Sequence, residues 1–291
     1  MTDVEKKKRS NLAVRFMTAG VAAPLILWML FLAPKWVWPG FVLALATPIA
    51  AQELFGMTLR GEKLLQAWGI ASCVLVGFGL YAAVTSAVVP SYFPIGLVLW
   101  ALSTMLFSLT RPLPSEQAGN RMAWLMAGPL YIGGALAMLA ALHAVQHGGG
   151  WVLLSMVLAW LADTFGYFSG RFLGGKIFGA SKLSPHISPN KTWEGAVGAL
   201  FGCLAAILVA HFWFLPSLGI REGVVIALCA APLGVCGDLV ESLIKRSTGA
   251  KDSGWIVPGH GGLIDRIDAL MFTATLVLVY ARYILPAFPP G

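Results

Sequence analysis

The chain reads as an all-α integral membrane protein, a polytopic helical bundle of about nine transmembrane helices, amino terminus cytoplasmic and carboxyl terminus outside. Three observations predict this. Of its 291 residues 58% are hydrophobic and only 11% charged, with a mean hydropathy of +0.78, whereas a soluble domain carries about 25% charge. Several apolar runs approach the ~20 residues that a helix needs to cross ~30 Å of hydrocarbon. Basic residues concentrate in every second loop, the asymmetry expected of a multi-pass protein. The length of the runs excludes a large soluble core.

The runs fall at 12–34, 36–56, 66–89, 92–110, 122–146, 151–170, 194–216, 223–244 and 267–288. Residues 1–11 are polar, with Lys6, Lys7, Lys8 and Arg9, and resemble the start of a secretory signal. The segment that follows is long and shows no small-residue cleavage pattern before Pro34, so it reads as an uncleaved first span. The weakest division lies at Val89-Pro90-Ser91, where a hairpin could turn or one stretch could re-enter. No internal repeat or long linker is visible, which predicts a single membrane domain over 1–291. Residues 1–150 supply lipid-facing helices, and 151–291 carry the helices and loops with chemistry. The 33 Gly and 11 Trp suit close helix packing and interfacial anchoring. Cys73, Cys203, Cys229 and Cys236 lie in apolar segments without zinc-ligand spacing and read as packing residues.

With the amino terminus inside, the cytoplasmic loops carry Arg60 and Lys63, then Arg111 and Arg121. The third has Arg171, Lys176, Lys182 and Lys191, and the last Lys245, Arg246, Lys251 and Arg266. The opposite loops hold little beyond Lys35 and Arg221. The net charge of +7 is therefore a matter of topology and anionic membrane lipids, with no nucleic-acid partner expected.

Chemistry concentrates at that cytoplasmic face. In Gly237-Asp238-Leu239-Val240-Glu241-Ser242, Asp238, Glu241 and Ser242 stand at i, i+3 and i+4 and share one helix face. Two acids at the end of a span are expensive unless paired, wet or metal-bound. An ion pair with Lys245 or Arg246 would also explain them. The loop from Lys251-Asp252 through Pro258-Gly259-His260-Gly261-Gly262 turns tightly and can approach a ligand. Asp265 and Asp268 open the last span, where capping and the helix dipole offer a simpler account. Asp238 and Asp265 end one helix and begin the next at the same face, so they can converge. Such oxygen ligands suit Mg²⁺. Asp163 lies near the inner end of the sixth span. In Ser188-Pro189-Asn190-Lys191-Thr192-Trp193-Glu194-Gly195 a polar turn opens a helix where Ser188, Lys191 and Thr192 could hold phosphate. An ordinary cap at Thr192 explains part of it equally well. His260 could bind phosphate or order its loop, and Glu53, near the inner end of the second span, reads as support behind the acids.

The run Ser242-Leu243-Ile244-Lys245-Arg246, Lys251-Asp252, Pro258-Gly259-His260-Gly261-Gly262 and Asp265-Arg266-Ile267-Asp268 closely resembles the signature of phosphatidate cytidylyltransferases, also called CDP-diacylglycerol synthases. Asp163-Thr164-Phe165-Gly166-Tyr167, the 188–195 turn and Gly237-Asp238 match its upstream elements. The likeness is strongest over about 158–270, the amino-terminal half matching only in being hydrophobic. Val257 stands where Leu, Ile or Phe is expected, a conservative change.

The resemblance implies transfer of CMP from CTP to phosphatidate in phospholipid biosynthesis, at the cytoplasmic face of the inner cell membrane. It implies a catalytic set of Asp238, Asp265, Asp268, Lys251 and Asp252. Mg²⁺ would be held by Asp238 and Asp265 with Asp268, Glu241 or Asp163, together with a second cation such as K⁺ or another Mg²⁺. Ser188, Lys191, Thr192, Lys245, Arg246, His260 and Arg266 would bind substrate phosphates, and the resemblance also suggests a homodimer. A related enzyme acting on another lipid phosphate, such as an isoprenoid ether lipid, shares this mechanism. An ion-coupled transporter fits less well, since its site would lie near the midplane between repeated halves.

Overall fold

The computed structural model describes residues 18, 20–86, 92–179, 182–254, 256 and 261–285. Among them seven helices are long and apolar enough to cross a membrane: α2 (Val37–Thr58), α3 (Lys63–Thr85), α5 (Ser115–Leu142), α6 (Gly148–Leu173), α7 (Trp193–Phe214), α8 (Ile220–Ser247) and α9 (Ile264–Ile284). Two shorter apolar helices, α1 (Gly20–Phe31) and α4 (Phe93–Ser108), complete the set. Each predicted run thus corresponds to one helix. The division near Val89-Pro90-Ser91 lies outside the described residues, but α3 and α4 are separate helices on its two sides. At 16 residues, α4 is shorter than the ~20 that a perpendicular crossing needs.

One departure from an all-helical chain is a small antiparallel hairpin, β1 (Lys182–Ser184) and β2 (Ser188–Thr192). The sequence there reads as a turn opening a helix, and it does so: Thr192 ends β2 and caps α7, its hydroxyl accepting from the Gly195 N–H at 3.0 Å. The pairing of Lys182 with Thr192 and of Ser184 with Ser188 is invisible to hydrophobic periodicity, because the strands are short and polar.

The most extensive helix contact is between α6 and α7, which α8 and α9 then cover. Small residues permit it. A methyl group on Gly202 of α7 would run into the Leu161 carbonyl of α6, and one on Gly198 would meet Ser169. Since lipid is as apolar as the helices themselves, such close packing drives association in place of the hydrophobic effect. Helix α9 also packs on α5, so both halves of the sequence feed one buried core, from Trp38, Leu54 and Phe55 to Trp151, Ala274 and Val277.

Two polar groups inside this core are satisfied between helices, as a water-free setting favours. The Trp38 indole N–H donates to the Leu139 carbonyl at 3.3 Å, and the Thr273 hydroxyl to the Ser155 carbonyl at 3.3 Å. The outer surface is apolar, with Leu32, Val98, Leu106 and Phe201 exposed. Trp36, where α2 begins, and Trp213, where α7 ends, are strongly exposed, as suits side chains at a membrane interface. At the other ends of the helices, Arg121 ties α5 to the α2–α3 turn through Glu62 at 2.7 Å. It also donates to the Arg111 and Leu113 carbonyls at 3.3 and 3.0 Å.

Candidate active site

The last turns of α8 and the first of α9 meet at one end of the bundle. On α8 the spacing of Asp238, Glu241, Ser242 and Lys245 places all four on one stripe. Ser242 donates to an Asp238 oxygen at 3.2 Å, and Lys245 pairs with Glu241 at 2.5 Å. Asp268 projects from α9 toward the same stripe. One carboxylate oxygen from each of Asp238, Glu241 and Asp268 lies within 4.8 Å of the other two. Like charges at such a separation repel by roughly 3 kcal/mol per pair at an effective dielectric of about 20. Lys191 and Lys245 offset part of this. Glu241 Oε1 is buried with no hydrogen-bond partner among the described residues, an arrangement that normally costs ~1–3 kcal/mol or more. An all-oxygen donor set with an orphaned carboxylate oxygen fits a hard divalent cation.

Asp265 is engaged differently. Its Oδ1 receives Lys245 at 2.7 Å. Its Oδ2 accepts from the Ser253 N–H at 3.1 Å, the Ser253 hydroxyl at 2.9 Å and the Gly262 N–H at 3.0 Å. With four donors its carboxylate is fixed as a clasp between Ser253 and Gly262. Lys245 bridges it to Glu241, so Asp265 adjoins the acidic trio and orients one member of it.

Beside the trio lies a cavity of about 670 Å³ between α6, α7, α8 and the hairpin, a size typical of small-molecule sites. Asp163, Tyr167 and Arg171 line it from α6, Lys182, Ser188, Asn190 and Lys191 from the hairpin, and Asp238 from α8. Asp238 is common to cavity and trio. Lys191 pairs with Asp238 at 2.6 Å and donates to the Val235 carbonyl at 3.3 Å.

The expected residues therefore divide. The structure gathers Asp163, Asp238, Ser188, Lys191 and Thr192 around the cavity, and Glu241 and Asp268 beside it. The simpler account of Glu241, an ion pair with Lys245, is realised as well. Thr192 combines a place in the cavity wall with its capping bond. Lys251, Asp252, Arg246 and Arg266 are exposed and are not among the residues lining the cavity. His260 lies outside the described residues.

Glu194 carries no role in the sequence reading, yet its Oε1 accepts from the amides of Gly175, Ile177 and Phe178 at 2.9, 3.3 and 3.1 Å. It ties the α6–β1 connection to the start of α7. Its place in a first helical turn suggests only a dipole effect; nothing local announces a reach of 16–19 residues back. Tyr167, Arg171 and Asn190 likewise join the wall without having been singled out as ligands.

The profile of the Cytidylyltransferase family matches residues 13–284. A phosphatidate cytidylyltransferase of Haemophilus influenzae is 41% identical over 132 residues, covering 44% of this chain and 44% of the relative. One of Brucella abortus is 39% identical over 160 residues, 54% of this chain and 56% of the relative. One of Staphylococcus aureus is 44% identical over 130 residues, 44% of this chain and 47% of the relative. The matched segment thus spans about half the length of these curated relatives.

Proposed function

Because the chain belongs to the Cytidylyltransferase family, we propose that it transfers CMP from CTP to phosphatidate, releasing pyrophosphate and leaving CDP-diacylglycerol in the membrane. The observation that carries this reading is the acidic trio of Asp238, Glu241 and Asp268 sharing Asp238 with a cavity lined by Arg171, Lys182 and Lys191. Phosphatidate as acceptor is supported by the relatives, which are named phosphatidate cytidylyltransferases and are each matched over about half their length.

In this reaction a phosphate oxygen of phosphatidate attacks the α-phosphorus of CTP. A phosphorus–oxygen bond forms there, and the bond to the oxygen bridging the α- and β-phosphates breaks, that oxygen leaving with pyrophosphate. The lipid brings its own nucleophile, so no serine or cysteine of the chain is required. The protein's work is to align two polyanions and balance charge. Arg171, Lys182 and Lys191 supply positive charge in the cavity, and Ser188 and Asn190 offer hydrogen bonds. Asp238, Glu241 and Asp268 would hold Mg²⁺, with Asp163 close to Asp238 in the cavity wall and Asp265 orienting Glu241 through Lys245. When bound, Mg²⁺ neutralises phosphate oxygens and polarises the phosphorus under attack. The charge of three acids leaves scope for a second cation, K⁺ or another Mg²⁺.

Exposed Phe165, Phe168 and Phe172 on α6 flank the cavity-lining Asp163, Tyr167 and Arg171. This supports a lipid that approaches laterally, its tails in hydrocarbon and its headgroup toward the acids. A cytoplasmic site in the inner cell membrane is supported by the basic residues of the loops at that end. The test is to supply the detergent-purified protein with CTP, phosphatidate and Mg²⁺. Lipid-linked CMP is the expected product. Its absence under conditions in which the Haemophilus relative works would overturn the reading.

A further inference from the structure

Among the described residues, Glu53 joins the amino-terminal half to the segment that leads into α9. Glu53, in the last turns of α2, is 5% exposed, and a carboxylate inside a membrane helix needs a reason to be there. Its Oε1 accepts from the Leu263 N–H at 2.9 Å, and its Oε2 from the Ile264 N–H at 2.9 Å and the Ser253 hydroxyl at 3.2 Å. Two of the backbone donors that open α9 have no partner within their own helix, and Glu53 supplies one from another span.

The same carboxylate meets the segment between α8 and α9 at two places, Ser253-Gly254 and Gly262-Leu263. A methyl group added to Gly254 would lie 2.6 Å from Glu53 Oε1. One added to Gly262 would strike the Ser253 hydroxyl and lie 2.7 Å from Glu53 Oε2. The chain on each side of the loop is therefore closed directly onto Glu53, in space only glycine leaves open.

The contacts continue to the acids. Ser253 lies within hydrogen-bond reach of both Glu53 and Asp265, and its single hydroxyl proton can serve only one of them fully at a time. Asp265 holds Lys245, and Lys245 holds Glu241 of the trio. Resting on the function proposed above, we infer that Glu53 is a positioning residue for the transfer reaction: through Ser253 and Asp265 it sets Lys245 and Glu241, while touching neither substrate.

The test compares wild type, Glu53→Gln, Ser253→Ala and the double variant. Glutamine keeps the shape but turns an N–H₂ group toward donors, so one side of the clasp is lost. Supporting residues behind a metal site are typically worth about 10–100-fold. Glu53→Gln should lower kcat by that amount with KM for CTP and for phosphatidate changed less than about threefold. The double variant should be no slower than the slower single one, since both break the same chain of contacts. Full kcat in Glu53→Gln, a loss that tracks only the amount of folded protein, or multiplying losses in the double variant would overturn the assignment. If the wild type makes no lipid-linked CMP, it is the function reading that has failed. Amide exchange at Leu263 and Ile264 then decides the role of Glu53: faster in Glu53→Gln upholds the clasp, and unchanged refutes it.

Discussion

Lys191 on β2 and Asp238 on α8 form an ion pair at 2.6 Å, and both line the same cavity. The pair latches the hairpin to the helix that carries the acids, and it places a cation next to a metal-ligand candidate. On the proposed function, Lys191 would be free to exchange its carboxylate partner for phosphate oxygens of the nucleotide, and Asp238 would be among the residues holding Mg²⁺.

Removing that cation should be costly to turnover. Lys191→Met keeps the apolar stem and loses the charge, leaving Asp238 without its ion-pair partner. Loss of one electrostatic stabiliser of this kind typically costs about 10²–10³ in rate. Steady-state kinetics should show kcat/KM for CTP down by about 100-fold, with Lys191→Arg retaining part of it. A change under threefold would take Lys191 out of the site.

Asp268 and Asp265 should separate in their effects on stability. Asp268→Asn removes one like charge from a crowded trio and keeps an oxygen for the Ala269 N–H, which Asp268 Oδ1 now accepts at 2.7 Å. Turnover should fall by at least about 100-fold, with the metal-free melting temperature unchanged or raised. Asp265→Asn should lower both, because Lys245 and three hydrogen-bond donors lose their charged acceptor. Thermal melting beside the activity assay checks the contrast; a large destabilisation by Asp268→Asn would contradict it.

Glu194→Ala should loosen the connection after α6 without touching the acids. Hydrogen exchange should quicken at Gly175, Ile177 and Phe178, the three amides that Glu194 Oε1 now holds. Protection equal to wild type at all three would show that the connection is fixed by something else.

A topology reporter fused after Gly291 should register outside the cytoplasm, and one inserted beside Arg60 inside it. The charge of the loops predicts both. A cytoplasmic signal at Gly291 would break the nine-span reading.

Much of this was legible in the residues, for identifiable reasons. Helices α6 to α9 follow from hydrophobic runs long enough to leave no other state. Asp238 and Glu241 are visible as partners because a helix puts i and i+3 on one face. The i, i+4 pair of Glu241 and Lys245 follows in the same way. The division of labour between Asp265 and Asp268 was not legible. Both begin α9, and only the placement of Ser253, Gly262 and Lys245 makes one a clasp and the other a member of the trio. Glu53 is legible as support behind the acids, but its partners Ser253, Leu263 and Ile264 are not, and Glu194 acts through backbone donors 16–19 residues away, which carry no sequence signal. The hairpin escapes because strands of three and five residues, with Leu183 and Pro189 alone among polar neighbours, have no apolar alternation to read.

The fate of label from CTP tests the transfer itself. Purified protein would be given phosphatidate, Mg²⁺ and CTP labelled either at the α- or at the γ-phosphate, with Asp238→Asn as control. The expected result is α-label in the lipid and γ-label in pyrophosphate, in equal amounts, with both lost in Asp238→Asn. Label from the γ-phosphate in the lipid, or α-label transfer undiminished in Asp238→Asn, would contradict it.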